Sequence, residues 1–237
     1  MNVAELHFEF RLLYDKLGQG KDFNEAEIDW FLNKAQLSLI QKKISGNNPS
    51  KRGLDDAQKR IKDLSTIAVK YPAQQPITSL IYHNEGTYKV YECVIGSNFR
   101  KKPLHFTQLI ARTDCNRRMF VKFIDSAFLE ETIRNPLFLD GENLVGTLGM
   151  PSNSNEKSAI FIYSKYTITA LLAEYIKYPE PISLGTYAYI TGETRAAKSS
   201  ELPDEIHTEL VAEAVIIATA SLMDSLDVKA LMQQQSE

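Results

Sequence analysis

The stretch LPDEIHTELVAEAVIIATASLM, residues 202–223, decides the fold class at the C-terminal end of the chain. Pro203 suits the first turn of a helix, where the N–H that proline lacks would have no partner. Two neighbouring apolar stripes follow at helical spacing: Ile206, Leu210, Ala214, Ile217 and Ser221, and beside them Val211, Val215, Ala218 and Leu222. The polar edge that remains is narrow and carries Glu205, Glu209 and Glu213. Such a helix needs neighbours on more than one side, either within its own domain or from another subunit.

The composition of the chain is that of an ordinary globular protein. The chain has 237 residues, of which 43% are hydrophobic and 24% charged, and its formal net charge is -3. This charge excludes a global electrostatic attraction to nucleic acid or membranes. No apolar run approaches the roughly 18 residues of a membrane span, and the N-terminal residues do not have the pattern of a signal peptide.

The charges are unevenly distributed along the chain. Basic residues dominate 42–62 and 100–118, whereas acidic residues dominate from 201 onward. This pattern fits either solvated faces or head-to-tail packing of like subunits, in which a basic patch meets an acidic one. The second interpretation makes a set of residues candidates for an interface, and these are Glu205, Glu209, Glu213, Ala214, Ala218, Arg117 and Arg118.

Residues 1–71 are predicted to form a helical block. Apolar residues recur at helical spacing in 3–17, 24–43 and 54–68. Asn24 and Glu27 form a capping-box pattern at the start of the second helix.

Residues 72–200 are predicted to be β-rich, with mostly antiparallel strands. The strand-like runs are 77–82, 87–95, 106–112, 118–124, 159–163 and 166–178, of which the last two are predicted to form a strand pair. Ser126 can cap a short helix over 128–134. Residues 137–158 lack periodicity and contain three glycines, so we expect a long loop arm that contacts another chain and is not needed for the subunit fold.

The predicted fold class is therefore α+β, with an N-terminal helical block, a mostly antiparallel sheet and a long C-terminal helix. Three regions are expected: 1–71, 72–200 and 201–237. The last region is expected to pack back on the helical block.

The sequence offers little catalytic or ligand-binding chemistry. None of the four histidines stands at metal-ligand spacing with a cysteine or another histidine, so neither a metal nor a cofactor is expected. His207 is expected to be exposed in the first turn of the acidic helix. Cys93 and Cys115 show no disulfide pattern and are predicted to be small buried side chains. An enzyme is not expected.

Three short stretches of the sequence, taken together and in their order along the chain, resemble a known protein family. They are FNEAEIDWFLNKA at 23–35, YIKYPEPI at 175–182 and LPDEIH at 202–207. The chain resembles the head–tail connector proteins of tailed bacteriophages. It is most similar to the ring proteins of crAss-like phages and more distantly similar to the short-tail adaptor and tail tube A class.

The resemblance implies a non-enzymatic virion protein that is assembled in the cytoplasm of the host bacterium. Its copies would form a closed ring of about twelve subunits below the portal, in contact with the portal protein and other tail proteins. The ring would surround packaged DNA without reading its sequence, and no membrane would be involved. The alternative from the residues alone is a cytosolic, non-catalytic adaptor or binding module of another system.

Overall fold

The computed structural model describes residues 1–17, 22–45, 62–70, 75–85, 88–134, 143–152, 158–185 and 195–222. The chain divides into two units. The first comprises Met1–Ile67 and Pro179–Glu237, and the second comprises Ala68–Tyr178. The described residues after Tyr178 therefore belong to the helical unit, although the sequence pattern groups everything up to residue 200 with the β-rich region.

Both N-terminal helices begin with a capping box. Helix α1, Val3–Lys16, follows Asn2, whose Oδ1 accepts a hydrogen bond of 2.8 Å from Glu5 N while Glu5 Oε2 accepts one of 2.9 Å from Asn2 N. Helix α2, Glu25–Ser45, begins with the same reciprocal pair between Asn24 and Glu27, as predicted. These bonds satisfy backbone donors that have no partner inside the helix.

The predicted third helix ends earlier than expected. Residues 62–64 are helical, but a turn follows and leads into strand β1, Ala68–Val69. The prediction of helix up to Ala68 is wrong, because Ala68 pairs with Ile176 at one edge of the sheet, a tertiary contact that local periodicity does not report. The remainder of that predicted helix, 54–61, lies outside the described residues.

The C-terminal helix forms the core of the first unit together with α1 and α2. Its α-helical part, His207–Leu222, follows a single 3-10 turn, Asp204–Ile206. Leu210 and Val211, one from each apolar stripe, are both fully buried. The shared core also contains Leu6, Phe10, Tyr14, Phe23, Ile28, Phe31, Leu32, Ala35, Leu39 and Ile182. We number this last helix α5.

The second unit is one eight-stranded sheet with two short helices. Its elements after β1 are β2 Ile81–Glu85, β3 Tyr88–Val94, α3 Ile95–Asn98, β4 Pro103–Thr113, β5 Arg118–Phe123, α4 Leu129–Arg134, β6 Asn143–Gly149, β7 Ala159–Ser164 and β8 Ile168–Lys177. The strand order is β1-β8-β4-β5-β6-β7-β3-β2, and among the described strands β5 and β6 alone pair in parallel. Cys93 of β3 and Ala173 of β8 share a core although they lie far apart in this order, so the sheet curls. Together with the helices of the first unit, the sheet confirms the α+β class.

Strand β6 corrects the prediction of a loop arm over 137–158. Asn143–Gly149 lies inside the sheet between β5 and β7, and Leu144 is only 1% exposed. Gly146, one of the glycines that suggest an irregular loop, meets a packing requirement, because a Cβ atom there would lie 2.6 Å from Val121 Cγ1. The parts of the predicted arm that lie outside the described residues are 137–142 and 153–157.

Strands β7 and β8 are consecutive in the chain but do not pair with each other. Strand β7 pairs with β3 and β6, whereas β8 pairs with β1 and β4. The predicted strand pair is therefore wrong. Residues 165–167 carry the chain from one part of the curled sheet to another, and Asp114 N holds this crossing by donating a hydrogen bond of 3.1 Å to Thr167 O.

Two local predictions in the second unit also need correction. The short helical segment is capped by Asp125, whose Oδ1 accepts a hydrogen bond of 3.1 Å from Ala127 N, and not by Ser126. Cys93 is buried as predicted, and desolvation raises the pKa of its thiol to about 12. Cys115, in contrast, is exposed because it lies in the turn between β4 and β5 and not in a strand.

Candidate intersubunit surfaces

The acidic edge of the C-terminal helix contacts lysines of its own chain. Measured between a carboxylate oxygen and Nζ, the pairs are Glu213–Lys42 at 2.7 Å, Glu209–Lys43 at 3.1 Å and Glu205–Lys62 at 2.7 Å. Three lysines of the basic region 42–62 thus pair with the acidic edge within one chain, although the sequence offers this edge as a basis for head-to-tail packing. A contact of these carboxylates with a neighbouring subunit would have to compete with these pairs.

Lys43 is the most enclosed of the three lysines. Its side chain is 18% exposed, and its Nζ lies 2.8 Å from Oδ2 of Asp63. The side chain of Asp63 is only 2% exposed. Burial lowers the pKa of Lys43, but the hydrogen bonds to Asp63 and Glu209 outweigh burial and raise the pKa above its ordinary value. Lys62 and Glu205 are each 65% exposed, so solvent screens their pair.

Ala214 and Ala218 lie in the core of the first unit. Both are fully buried, within the cluster that α1 and α2 share with α5. Of the two alternatives that the sequence leaves open, a core helix or a helix shared with another subunit, the structure supports the core role at these two positions.

A buried polar cluster that sequence reasoning missed fixes residues 182–184 to α2. His7 Nε2 lies 2.7 Å from Asp29 Oδ1, and Leu184 N donates a hydrogen bond of 3.0 Å to Asp29 Oδ2. One turn later, Asn33 Oδ1 accepts a hydrogen bond of 2.8 Å from Ile182 N, and Asn33 Nδ2 donates a hydrogen bond of 2.9 Å to Ile182 O. The sequence pattern that indicates this cluster is the spacing of Asp29 and Asn33, four residues apart and beside an apolar stripe. This spacing places two polar side chains close to the buried side of a helix.

His207 also corrects a prediction, because it is 2% exposed and not a surface residue. Its Nε2 lies 3.0 Å from Leu202 O, and its Nδ1 lies 3.3 Å from Asp204 Oδ1. The amino group of Met1 lies 2.7 Å from the same Asp204 oxygen. Burial, together with the positive charge of this amino group, lowers the pKa of His207.

A second buried carboxylate joins β3 to the residues that follow β6. Glu92 is fully buried, and its two oxygens accept hydrogen bonds from Ser152 N at 2.9 Å and Ser152 Oγ at 2.8 Å. His83 Nε2 lies 2.9 Å from Glu92 Oε2. Burial raises the pKa of Glu92, but these hydrogen bonds and the nearby histidine outweigh burial, so the pKa lies below its ordinary value.

Arg117 and Arg118 are exposed at the start of β5, where the interface was predicted. The turn before them places Asn116 in the left-handed region with φ of 63°. Arg118 lies directly across from Arg112 of β4, and the next pair on the same face is Ile110 with Phe120. We call Arg112, Arg118, Ile110 and Phe120 the basic strand face; Phe120 is 50% exposed.

An acidic surface follows the end of β5. Residues 126–134 form a 3-10 turn and helix α4, and none of these residues is buried. Phe128 is 59% exposed, Glu130 and Glu131 are exposed, and Tyr88 Oη donates a hydrogen bond of 2.9 Å to Ile133 O. We call 126–134 the acidic helical segment.

The first unit also exposes apolar side chains. Phe8 and Leu12, one turn apart on α1, are 70% and 44% exposed. Trp30 on α2 is 50% exposed, and Lys34 Nζ lies 3.9 Å from the centre of its ring.

The described part of the chain contains no group of three His, Cys, Asp or Glu side chains that could hold a metal ion. Among the described helices, none has the length and apolar character needed to cross a membrane.

These features describe a scaffold with charged and aromatic surfaces, the properties of a subunit that assembles with other chains. The family described as phage tail ring protein 3/4 of crAss-like phages matches residues 1–228, and the chain belongs to this family. The chain is also 25% identical over 255 residues to "Ring protein 4/5" of Bacteroides phage crAss001, and the alignment covers 100% of both chains. The chain is therefore a structural phage ring protein and a virion component, not an enzyme, and the resemblance to the ring proteins of crAss-like phages is confirmed.

Proposed function

We propose that this protein forms a ring in the head–tail connector of a tailed bacteriophage, where it joins the capsid portal to the tail and surrounds the DNA channel. The observation that carries this proposal is the match of residues 1–228 to the family of phage tail ring proteins. A closed ring of like subunits needs one surface of each copy to meet a different surface of the next copy. The exposed basic strand face and acidic helical segment are two such distinct surfaces.

The proposed ring contains about twelve copies, which is a closed cyclic assembly. Its partners are the portal protein and neighbouring tail proteins, and it is assembled in the cytoplasm of the host bacterium. Any contact with DNA involves the phosphate backbone, because the net charge is -3 and the sequence contains no recognisable base-reading module.

Mass spectrometry of purified virions, followed by cryo-electron microscopy of the portal–tail junction, tests the proposal. We expect the protein in the particles in a fixed ratio to the portal protein, and density for a ring between portal and tail. Its absence from washed virions, or its location only at a distal tail structure, would contradict the connector role. Empty heads that lack tails provide the matched control, because they show whether the protein joins the portal before or after the tail.

A further inference from the structure

We propose that neighbouring copies in the ring contact each other through the second unit, with the basic strand face of one copy packed against the acidic helical segment of the next. The occupant of each surface is thus a second copy of this chain. This inference rests on the proposed ring function and adds to it the pair of surfaces that closes the ring.

The first observation is the juxtaposition of two arginines. Arg112 and Arg118 are directly opposite each other on neighbouring antiparallel strands, and both are exposed. Like charges in directly opposed positions destabilise a sheet. Carboxylates from another chain would offset this repulsion, because the guanidinium group binds a carboxylate through two parallel hydrogen bonds.

The second observation is an apolar centre beside the arginines. Phe120 and Ile110 form the adjacent cross-strand pair, and half of the Phe120 surface is accessible. Exposed aromatic residues and arginines are enriched in protein interfaces, where they contribute much of the binding energy. The face therefore has the composition of a docking surface for a protein more than that of a merely solvated strand.

The third observation concerns the acidic helical segment. Short helices obtain most of their stability from packing, yet no residue from 126 to 134 is buried, and Phe128 is 59% exposed. Glu130 does have a partner in Arg134, at 3.2 Å, but the two side chains are 85% and 81% exposed, so this pair contributes little. A neighbouring subunit would supply the packing that the segment lacks.

The two surfaces complement each other and are distinct. One presents two arginines beside Phe120, and the other presents two glutamates near Phe128. No ion pair joins Arg112 or Arg118 to Glu130 or Glu131 within the described part of the chain. Arg118 begins β5, and Arg112 lies opposite it on β4. The acidic helical segment follows the end of β5, about 16 Å further along a strand that rises about 3.3 Å per residue. A contact between them is therefore heterologous, as a ring requires.

The test is an exchange of charge between the two surfaces of the full-length protein. The strand variant carries Arg112→Glu and Arg118→Glu, the helix variant carries Glu130→Arg and Glu131→Arg, and the swapped variant carries all four changes. Sedimentation velocity over a concentration series measures self-association, and circular dichroism checks that each variant is folded. Lys101→Glu with Lys102→Glu is the matched control, because both lysines are exposed in the same unit outside the two surfaces.

We expect the strand variant and the helix variant, each alone, to show about a tenfold or greater rise in the dissociation constant for self-association, because like charges then face each other. An equimolar mixture of the two should regain association, because both contacts between unlike copies are complementary. The swapped variant should associate with itself but not with the wild type, and the lysine control should behave as the wild type.

Several results would overturn the inference. The inference is overturned if the mixture of the strand and helix variants does not regain association. It is also overturned if the strand variant associates like the wild type and loses only affinity for a mixed-sequence DNA duplex. If the isolated protein is monomeric, the same variants are compared for incorporation into virions. Lys122 is exposed on β5, two residues after Phe120. Carboxyl–amine cross-linking of those virions should then join Lys122 of one copy to Glu130 or Glu131 of another. A ring whose cross-links lie elsewhere would overturn this contact but leave the proposed function, whereas absence from virions would remove both.

Discussion

Lys43 and Asp63 form an ion pair with 2.8 Å between Nζ and Oδ2, in which the carboxylate is almost completely buried. The same ammonium group lies 3.1 Å from Glu209 Oε2 on the C-terminal helix. One lysine of α2 therefore holds two other parts of the first unit. Within this chain, Lys42 and Lys62 likewise lie against the acidic edge of α5, beside Glu213 and Glu205.

Replacing Lys43 by methionine should destabilise the protein by about 1.5–3 kcal/mol, because Asp63 would be left buried without its charged partner. Urea unfolding at neutral pH measures the change. Lys62→Met is the matched control and should leave the unfolding midpoint unchanged, since both Lys62 and Glu205 are largely exposed. Equal effects of the two substitutions would show that the Lys43 pair is not a structural tie.

Ala218→Trp should cost about 1–3 kcal/mol through overpacking, because Ala218 is fully buried between α5 and its neighbours. Ala212→Trp on the same helix is the control, since Ala212 is exposed and its replacement should change stability little. Thermal unfolding followed by circular dichroism compares the two. A well-tolerated tryptophan at position 218 would mean that this core contains space that the structure does not show.

Gly146→Ala tests the assignment of 143–149 as an interior strand. The added Cβ would lie 2.6 Å from Val121 Cγ1, so either the Val121 side chain or one of the two strands must shift, at a cost of about 1–3 kcal/mol. Gly96→Ala, at an exposed position of α3, should be neutral or slightly stabilising because alanine favours a helix. If residues 137–158 can be replaced by a flexible linker without loss of the fold, the strand assignment fails.

The second unit should lose stability in acid through Glu92. Its pKa is lowered in the folded state, so its contribution is fully present above the ordinary carboxyl pKa of 4.5 and is lost as the pH falls through the folded pKa. Hydrogen exchange of β3 amides as a function of pH measures this loss. Glu92→Gln should flatten the dependence below pH 4.5, and an unchanged slope would assign the acid sensitivity to other groups.

Acidification should also destabilise the first unit, through His207, and this loss should start at a higher pH than the loss through Glu92. Because the pKa of His207 is lowered on folding, the neutral form is favoured; its contribution is complete above the ordinary value of 6.5 and is lost as the pH falls below it. Trp30, the one tryptophan of the chain, reports unfolding of this unit by fluorescence. His207→Gln should reduce the slope just below pH 6.5. A steeper slope in the variant would contradict the sign.

The structures that were predictable from sequence are those set by neighbours along the chain. Asn24 and Glu27 lie three residues apart, so their capping box depends on one turn of backbone alone. The apolar stripes of 206–222 and the alternation in 118–123 likewise follow from helical and strand periods. The family resemblance could also be recognised from the sequence alone, because it depends on three short stretches in a fixed order.

The tertiary structure decided what those elements meet. Glu209 was correctly placed on a polar helix edge, but only the fold shows that Lys43 lies opposite and that Asp63 shares the same ammonium. Gly146 suggests a loop when only its neighbours in the chain are considered, yet it allows close approach of Val121, a residue of another strand. Local sequence determines backbone preference and the spacing of apolar side chains, whereas burial and charge pairing arise between residues far apart in the chain, and these depend on the complete packing of the folded protein.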